Sequence, residues 1–256
     1  MTEPTVFAHR GFAGVNPENT VGAVRAAAHR ADAVEVDVVA CADGTPVVFH
    51  DARLDAAAGS RGVTDAAGAV RDLSPETVTA AEVLDSGETV PTLARLVDGT
   101  DAPLNVELKR HGAATVRRGA LPPADREASR ERWQPLVDRV LDALDGREIR
   151  YSSFREGALA ALRARDPDAS LAPLCRDLAT GRELAARYDA NAVHPSLAAI
   201  RDADAGTVAA VHDAGRAVNV WTIRTWGEAR AAVRAGADGL IADYPELTRW
   251  LGGVSG

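Results

Sequence analysis

Short runs of β-branched and apolar residues recur along this chain, each followed by an alanine-rich stretch of helical character. The runs are Thr5 to His9, Ala33 to Val38, Pro103 to Leu108, Glu148 to Ser152, Ser170 to Leu174, Asn191 to His194, Ala217 to Trp221 and Asp238 to Ala242. Strand-like runs that alternate with helical segments build parallel βαβ units. Eight of them in 256 residues match a single (β/α)8 barrel, whose usual length is roughly 250 residues. The expected fold is therefore α/β, a TIM barrel formed by one domain over residues 1–256. Its helices carry ordinary punctuation: Asn19-Thr20 can cap a helix running to about Ala31, Thr225 one that ends before Gly236, and Ala214-Gly215 stops another.

One run breaks the pattern. Pro46 to His50 is strand-like but follows the second run too closely for a parallel crossover, which needs about a dozen residues or more. It is expected to be the return arm of a β-hairpin turning at Asp43-Gly44, which brings His50 back toward the strand that the chain has just left. Residues 51–90 then read as a polar, glycine-containing insertion above the barrel, with a helical piece near Pro75 to Leu84.

Alternation within the runs places chemistry. Side chains two apart on a strand share a face, so Glu35 and Asp37 point one way while Val34, Val36 and Val38 point the other. Asn105, Glu107 and Lys109 likewise oppose Leu104, Val106 and Leu108. Both runs finish at the carboxyl end of a barrel, where such enzymes hold their sites. Three converging carboxylates with no thiolate among them favour a hard divalent cation, Mg²⁺ or Ca²⁺, which would relieve their mutual repulsion. His9 and His50 arrive from different segments and titrate near neutrality, which suits general acid and base roles. Arg10 offers a fork for phosphate oxygens and Lys109 a compact charge for the same group; Arg10 could instead pair with Glu18 or a strand-end carboxylate. Trp221, with Asn219 on its own face, either presents an apolar wall to the organic part of a substrate or fills the core. His194 ends a strand and either lines the pocket or packs inside. His29 and His212 fall on helical stretches and His111 in a polar loop, so these three are expected at the surface. The joint set is what metal-assisted attack on a phosphodiester requires.

Composition narrows this further. The chain is 46% hydrophobic and can bury a large core, while its formal net charge of -8 argues against nucleic acid as a partner. Among 29 lysines and arginines, Lys109 is the sole lysine, so its arrival in this constellation is informative. Cys41 and Cys175 lie far apart and suggest neither a disulfide framework nor a metal site. No basic, apolar leader precedes Thr5, and no run approaches the ~18 apolar residues of a membrane span. A cytoplasmic protein without stable membrane association is expected, with its oligomeric state left open.

The order and spacing of several motifs resemble the glycerophosphodiester phosphodiesterase family over nearly the whole chain. They are His9-Arg10-Gly11, Pro17-Glu18-Asn19-Thr20, Glu35-Val36-Asp37-Val38, Asp43-Gly44 through Val47-Val48-Phe49-His50-Asp51, Pro91-Thr92-Leu93 and Glu107-Leu108-Lys109. Ser152-Ser153-Phe154, Val193-His194-Pro195, Asn219-Val220-Trp221-Thr222 and Gly236-Ala237-Asp238-Gly239 leading to Asp243-Tyr244-Pro245 complete the series. The resemblance implies a barrel related to phosphatidylinositol-specific phospholipases, with Glu35, Asp37 and Glu107 as metal ligands and His9 and His50 as acid and base. It also implies that Arg10 and Lys109 contact phosphate. The implied reaction is hydrolysis of a small-molecule glycerophosphodiester, such as glycerophosphocholine, to sn-glycerol 3-phosphate and an alcohol. Water attacks directly, or the glycerol 2-hydroxyl attacks first to give a cyclic phosphate. Two departures stand out: Ala56-Ala57-Ala58-Gly59 replaces the family's Thr-rich stretch, and Ala242 stands where Thr commonly precedes Asp-Tyr-Pro. Two further readings are a lysophospholipase D-like activity, which needs an apolar groove beside Trp221, and a non-catalytic glycerophosphate-binding barrel. The filled acid, base and ligand positions argue against the second.

Overall fold

The computed structural model describes residues 3–110, 119–144, 146–203 and 205–249. Its strands are β1 (Thr5–His9), β2 (Ala33–Ala40), β3 (Pro46–Val48), β4 (Leu104–Arg110), β5 (Ile149–Ser153), β6 (Ser170–Cys175), β7 (Ala192–Pro195), β8 (Ala217–Ile223) and β9 (Gly239–Ala242). Every strand except β3 pairs in parallel, and β1 pairs with both β2 and β9, closing an eight-stranded TIM barrel. β3 runs antiparallel to β2 with Val48 opposite Val38, so it is the expected hairpin arm, and Gly44 takes φ +86° in the turn.

The helices are α1 (Val21–Ala27), α2 (Pro75–Thr79), α3 (Leu93–Asp98), α4 (Pro123–Ala143), α5 (Glu156–Arg165), α6 (Leu178–Arg187), α7 (Leu197–Asp202), α8 (Ala205–His212) and α9 (Trp226–Arg234). The apolar faces of β2 (Val34, Val36, Val38) and β4 (Leu104, Val106, Leu108) are buried in one core with Trp133, Leu136, Val137 and Val140 of α4. Burial of this kind stabilises by about 25 cal/mol per Å² of apolar surface, so the alternation that aims these residues outward also aims Glu35, Asp37 and Glu107 inward. At Gly157 a Cβ would sit 2.2 Å from Ser129 Oγ and 2.7 Å from the Trp133 ring, so glycine is what lets α5 approach α4.

Several boundaries differ from expectation. α1 stops at Ala27 rather than near Ala31, because Arg30 N–H turns back onto Ala27 O and the Asp32 side chain then anchors to Val6 N–H at 2.7 Å. Thr20 is its cap, accepting from Ala23 N–H, while Asn19 is used elsewhere. The helix of the insertion ends at Thr79, since Val83 and Glu82 are taken up in bridges to Thr64 and Thr89. Nor is the insertion merely polar: Leu54, Val70, Val78, Val83 and Val90 form a second small core with Val39, Val47 and Phe49 of the hairpin. Thr225 caps α9, which ends before Gly236 as expected, and Glu228 completes a capping box with it. Cys41 and Cys175 are free and buried, and burial pushes each thiol up to about 12. His111 lies outside the described residues. Among the described residues, no helix is long and apolar enough to cross a membrane.

His194 is resolved as a packed residue. It has no exposed surface, its Nε2 meets Asn219 Nδ2 at 3.0 Å, and its ring lies 6.1 Å from that of Phe7. Burial, and secondarily the Arg150 charge, push its pKa down to about 3, so folding holds the imidazole neutral. The unfolded chain takes up that proton near pH 6.5, so the stability is present above that pH and is lost as pH falls toward 3. His194→Gln removes the titration. Its urea-unfolding free energy is expected to converge with that of the native chain by about 1.4 kcal/mol per pH unit between about pH 6 and pH 4. Differences that stay constant with pH would refute it.

Candidate active site

The carboxyl ends of β1, β2, β4 and β9 meet at one side of the barrel mouth. Carboxylate oxygens of Glu35, Asp37 and Glu107 all lie within 4.8 Å of one another, each residue buried. Asp37 is held by Asn19, whose Nδ2 donates to Asp37 Oδ2 at 2.9 Å and whose Oδ1 accepts from Asp37 N–H at 3.2 Å. Asn19 adopts φ +59°, a conformation asparagine tolerates better than most residues, and that turn is what aims its amide into the barrel. Arg10 is also left-handed at φ +53°, and its N–H donates to Glu35 Oε2 at 3.0 Å.

Lys109 joins this cluster through a local irregularity. Val38 pairs with Leu108 and Val39 with Arg110, so Lys109 is the extra residue of a β-bulge, a device that re-aims side chains beside active sites. Its Nζ lies 3.3 Å from Asp37 Oδ1 and 3.2 Å from Glu107 Oε1. Arg10 Nε lies 2.9 Å from Asp37 Oδ2, and its Nη1 donates to Glu18 Oε1 at 3.1 Å. Both partners that the sequence offered Arg10 are thus engaged.

Electrostatics divide the three acids. Burial, followed by repulsion from Asp37 and Glu107, drives Glu35 well above the ordinary carboxylate range. Burial and Asp37 also raise Glu107, against the opposing pull of Lys109. Burial alone would raise Asp37, but the Lys109 and Arg10 charges outweigh it and hold that group well below its usual value. Burial would lower Lys109, yet Asp37 and Glu107 keep its ammonium charged. Asp37 Oδ1, though buried and ion-paired, has no aligned hydrogen-bond donor. An all-oxygen donor set, an unsatisfied buried oxygen and two carboxyls raised by burial and by the neighbouring Asp37 charge fit a hard divalent cation. The cluster could hold one.

Each histidine is backed by a carboxylate. His9 Nδ1 meets Asp243 Oδ1 at 2.5 Å, leaving Nε2 3.9 Å from Glu35 Oε2. His50 lies just beyond β3, and its Nδ1 meets Asp51 Oδ1 at 2.6 Å. Burial lowers both imidazoles, while Asp243 opposes this at His9 and Asp37 and Asp51 oppose it at His50. Asp51 itself is held far below the ordinary range, with His50 and Arg61 overcoming its burial. Such pairs fix the imidazole tautomer, with Nδ1–H toward the carboxylate and Nε2 free to exchange a proton.

Trp221 is half-buried at the mouth and not in the core. Its Nε1 donates to His194 O at 2.7 Å, its ring meets that of Phe154 edge-on at 5.3 Å, and the Arg176 guanidinium sits 5.3 Å above it. His212, expected at the surface, pairs there with Asp238 at 2.9 Å. His9, Arg10, Glu35, Asp37, His50, Glu107 and Lys109 therefore gather in one cluster, while His194 is packed in the interior. Sequence reasoning gave Asn19 only a share in capping α1, where Thr20 serves instead, and assigned no job to Asp51, Arg61 or Asp243. Adjacency to His50 and position after the last strand were the signals available for Asp51 and Asp243; nothing local marks Arg61.

A closed parallel barrel with ionisable groups gathered at the carboxyl ends of its strands has the layout of a barrel enzyme. The chain belongs to the glycerophosphoryl diester phosphodiesterase family, whose sequence model matches residues 9–247. It is 27% identical over 255 residues to the glycerophosphodiester phosphodiesterase of Bacillus altitudinis, covering 94% of this chain and 95% of that one. Its identity to the glycerophosphodiester phosphodiesterase of Caldanaerobacter subterraneus is also 27% over 255 residues, covering 94% of each. The fold is similar to that of an Oleispira antarctica phosphodiesterase solved in complex with sn-glycerol-3-phosphate, with TM-score 0.77, 23% identity, and 99% and 97% of the two chains covered.

Proposed function

We propose that this chain hydrolyses glycerophosphodiesters such as glycerophosphocholine to sn-glycerol 3-phosphate and an alcohol, in a divalent-cation-dependent reaction. The observation that carries the reading is a three-carboxylate cluster sharing one barrel mouth with two imidazoles, each oriented by its own carboxylate. Glu35, Asp37 and Glu107 would hold Mg²⁺ or Ca²⁺. The bound ion would polarise the phosphoryl oxygens and neutralise charge as the phosphorus becomes five-coordinate.

The remaining work falls to this chain's own side chains. Arg10 and Lys109 bind the phosphate oxygens, for which their present carboxylate partners hold them in place. One of His9 and His50 takes the proton from the attacking hydroxyl as its oxygen bonds to phosphorus. The other gives a proton to the alkoxide released when the opposite phosphorus–oxygen bond breaks. The attacking hydroxyl belongs to water, or to the glycerol 2-position in a first step that water completes. Trp221, packed edge-on against Phe154, would present an apolar wall to the organic part of the substrate. The insertion 51–90 supplies Asp51 and Arg61 to this mouth, so residues 1–256 act as one catalytic domain.

The test is release of glycerol 3-phosphate from glycerophosphocholine and glycerophosphoethanolamine by the purified protein. Activity is expected to vanish with chelator and to return with Mg²⁺ or Ca²⁺. Absence of metal-dependent release from every glycerophosphodiester would overturn the proposal. A parallel arm with lysophosphatidylcholine tests acylated substrates.

A further inference from the structure

Residues 55–62, at the start of the insertion, build a tight loop. Gly62 takes φ +68°, and a Cβ there would fall 2.6 Å from the Cβ of Ala56, so small residues at both ends let the loop close. The loop delivers Arg61 to the barrel mouth. The backbone N–H and Nε of Arg61 both donate to Asp51 Oδ2 at 3.0 Å. Its Nη1 and Nη2 form a fork on Glu18, donating to Oε2 at 2.7 Å and Oε1 at 2.6 Å. Beyond these carboxylates lie the groups that the reaction uses: Asp51 Oδ1 meets His50 Nδ1, and Glu18 Oε1 accepts from Arg10 Nη1.

We propose that Arg61 is a positioning residue that couples the proton-transferring His50 to the phosphate-binding Arg10, an inference that rests on the function proposed above. All three of its side-chain nitrogens are engaged with Asp51 and Glu18, so it acts through these carboxylates and not on the substrate. Two buried acids share this one guanidinium as a countercharge. Without it, Asp51 is free to rotate away from His50, and Glu18 draws the Arg10 fork out of the mouth. The geometry also requires arginine. A planar fork with a separate Nε can serve two carboxylates at once, whereas an ammonium is a point charge on a flexible stem. Ala56, against which Gly62 closes, then has a role as the compact base of an arginine-presenting loop.

The experiment compares the native chain with Arg61→Ala and Arg61→Lys in the same Mg²⁺-supplemented glycerophosphocholine assay. Arg61→Ala is expected to lower kcat by about 10- to 100-fold, the usual cost of losing an orienting partner, with KM changed far less. Mg²⁺ affinity by calorimetry is expected to be unchanged, and Arg61→Lys to recover part of kcat. In ¹⁵N-histidine NMR the downfield Nδ1–H signal of His50 is expected in the native protein and to be lost or broadened in Arg61→Ala. Native kcat and an unchanged His50 signal in that variant would overturn the inference while leaving the proposed function intact. Should the native protein itself show no turnover, the function falls separately, and the His50 signal alone decides Arg61: an unchanged signal overturns it. If Arg61→Ala melts out of its fold, Arg61→Gln replaces it with the same expectations, because it keeps much of the length and loses the fork.

Discussion

His9→Ala and His50→Ala are each expected to lower kcat by about 10²- to 10⁴-fold, the usual share of a positioned acid or base, while Mg²⁺ binding survives. The separation follows from the geometry. Neither imidazole belongs to the three-carboxylate cluster, and each has a carboxylate of its own, Asp243 or Asp51, to fix its tautomer. Removing one leaves the acids in place but strands a proton on the nucleophile or a charge on the leaving group. Because the two act in one transfer, the double variant should cost less than the product of the single effects. Steady-state kinetics beside metal calorimetry checks all of this, and near-native turnover in either single variant would show that the residue is not acid or base.

Glu35→Gln is expected to do the reverse, losing the ion first. The substitution keeps an oxygen for the Arg10 N–H and removes the charge. Affinity of an all-oxygen site for a divalent ion is set largely by its ligand charge count, so Mg²⁺ affinity is expected to fall about 100-fold, roughly 2.8 kcal/mol at 1.4 kcal/mol per tenfold. Stability of the metal-free protein should move the other way. Burial and the Asp37 and Glu107 charges hold Glu35 well above its unfolded value, so ionising it at neutral pH costs folding free energy. That cost is absent below the unfolded carboxylate pKa and grows as pH rises through the window up to the folded one. The variant without metal should therefore melt higher than the native chain near pH 7, and the gap should narrow on acidification. A metal-free variant that melts lower, or Mg²⁺ affinity left unchanged, would contradict the arrangement.

Much of this was readable before folding. The period-two alternation in Ala33–Val38 and Pro103–Leu108 fixes which residues must be buried outside the barrel, and so which carboxylates face its axis. The short spacing to Pro46 forces a hairpin and returns His50 to the mouth. Boundaries were less legible where neighbours intervene: α1 ends early because Asp32 is claimed by Val6, and the insertion's helix ends where bridges to Thr64 and Thr89 begin. The partner of His9 was least legible. His9 and Asp243 lie 234 residues apart, and only closure of β1 onto β9 brings them together.

The sequence by itself thus determined the barrel, the side of it on which chemistry gathers and the residue types available there, because strand periodicity and burial are local properties of a chain. Tertiary structure decided the rest. It chose His194 for packing and Trp221 for the mouth, turned Lys109 through a bulge onto Asp37 and Glu107, and split three like carboxylates into two raised and one depressed. It also joined Arg61 to both Asp51 and Glu18. These outcomes depend on distances between segments remote in sequence and on the desolvation that closure imposes, and neither quantity exists until the barrel has formed.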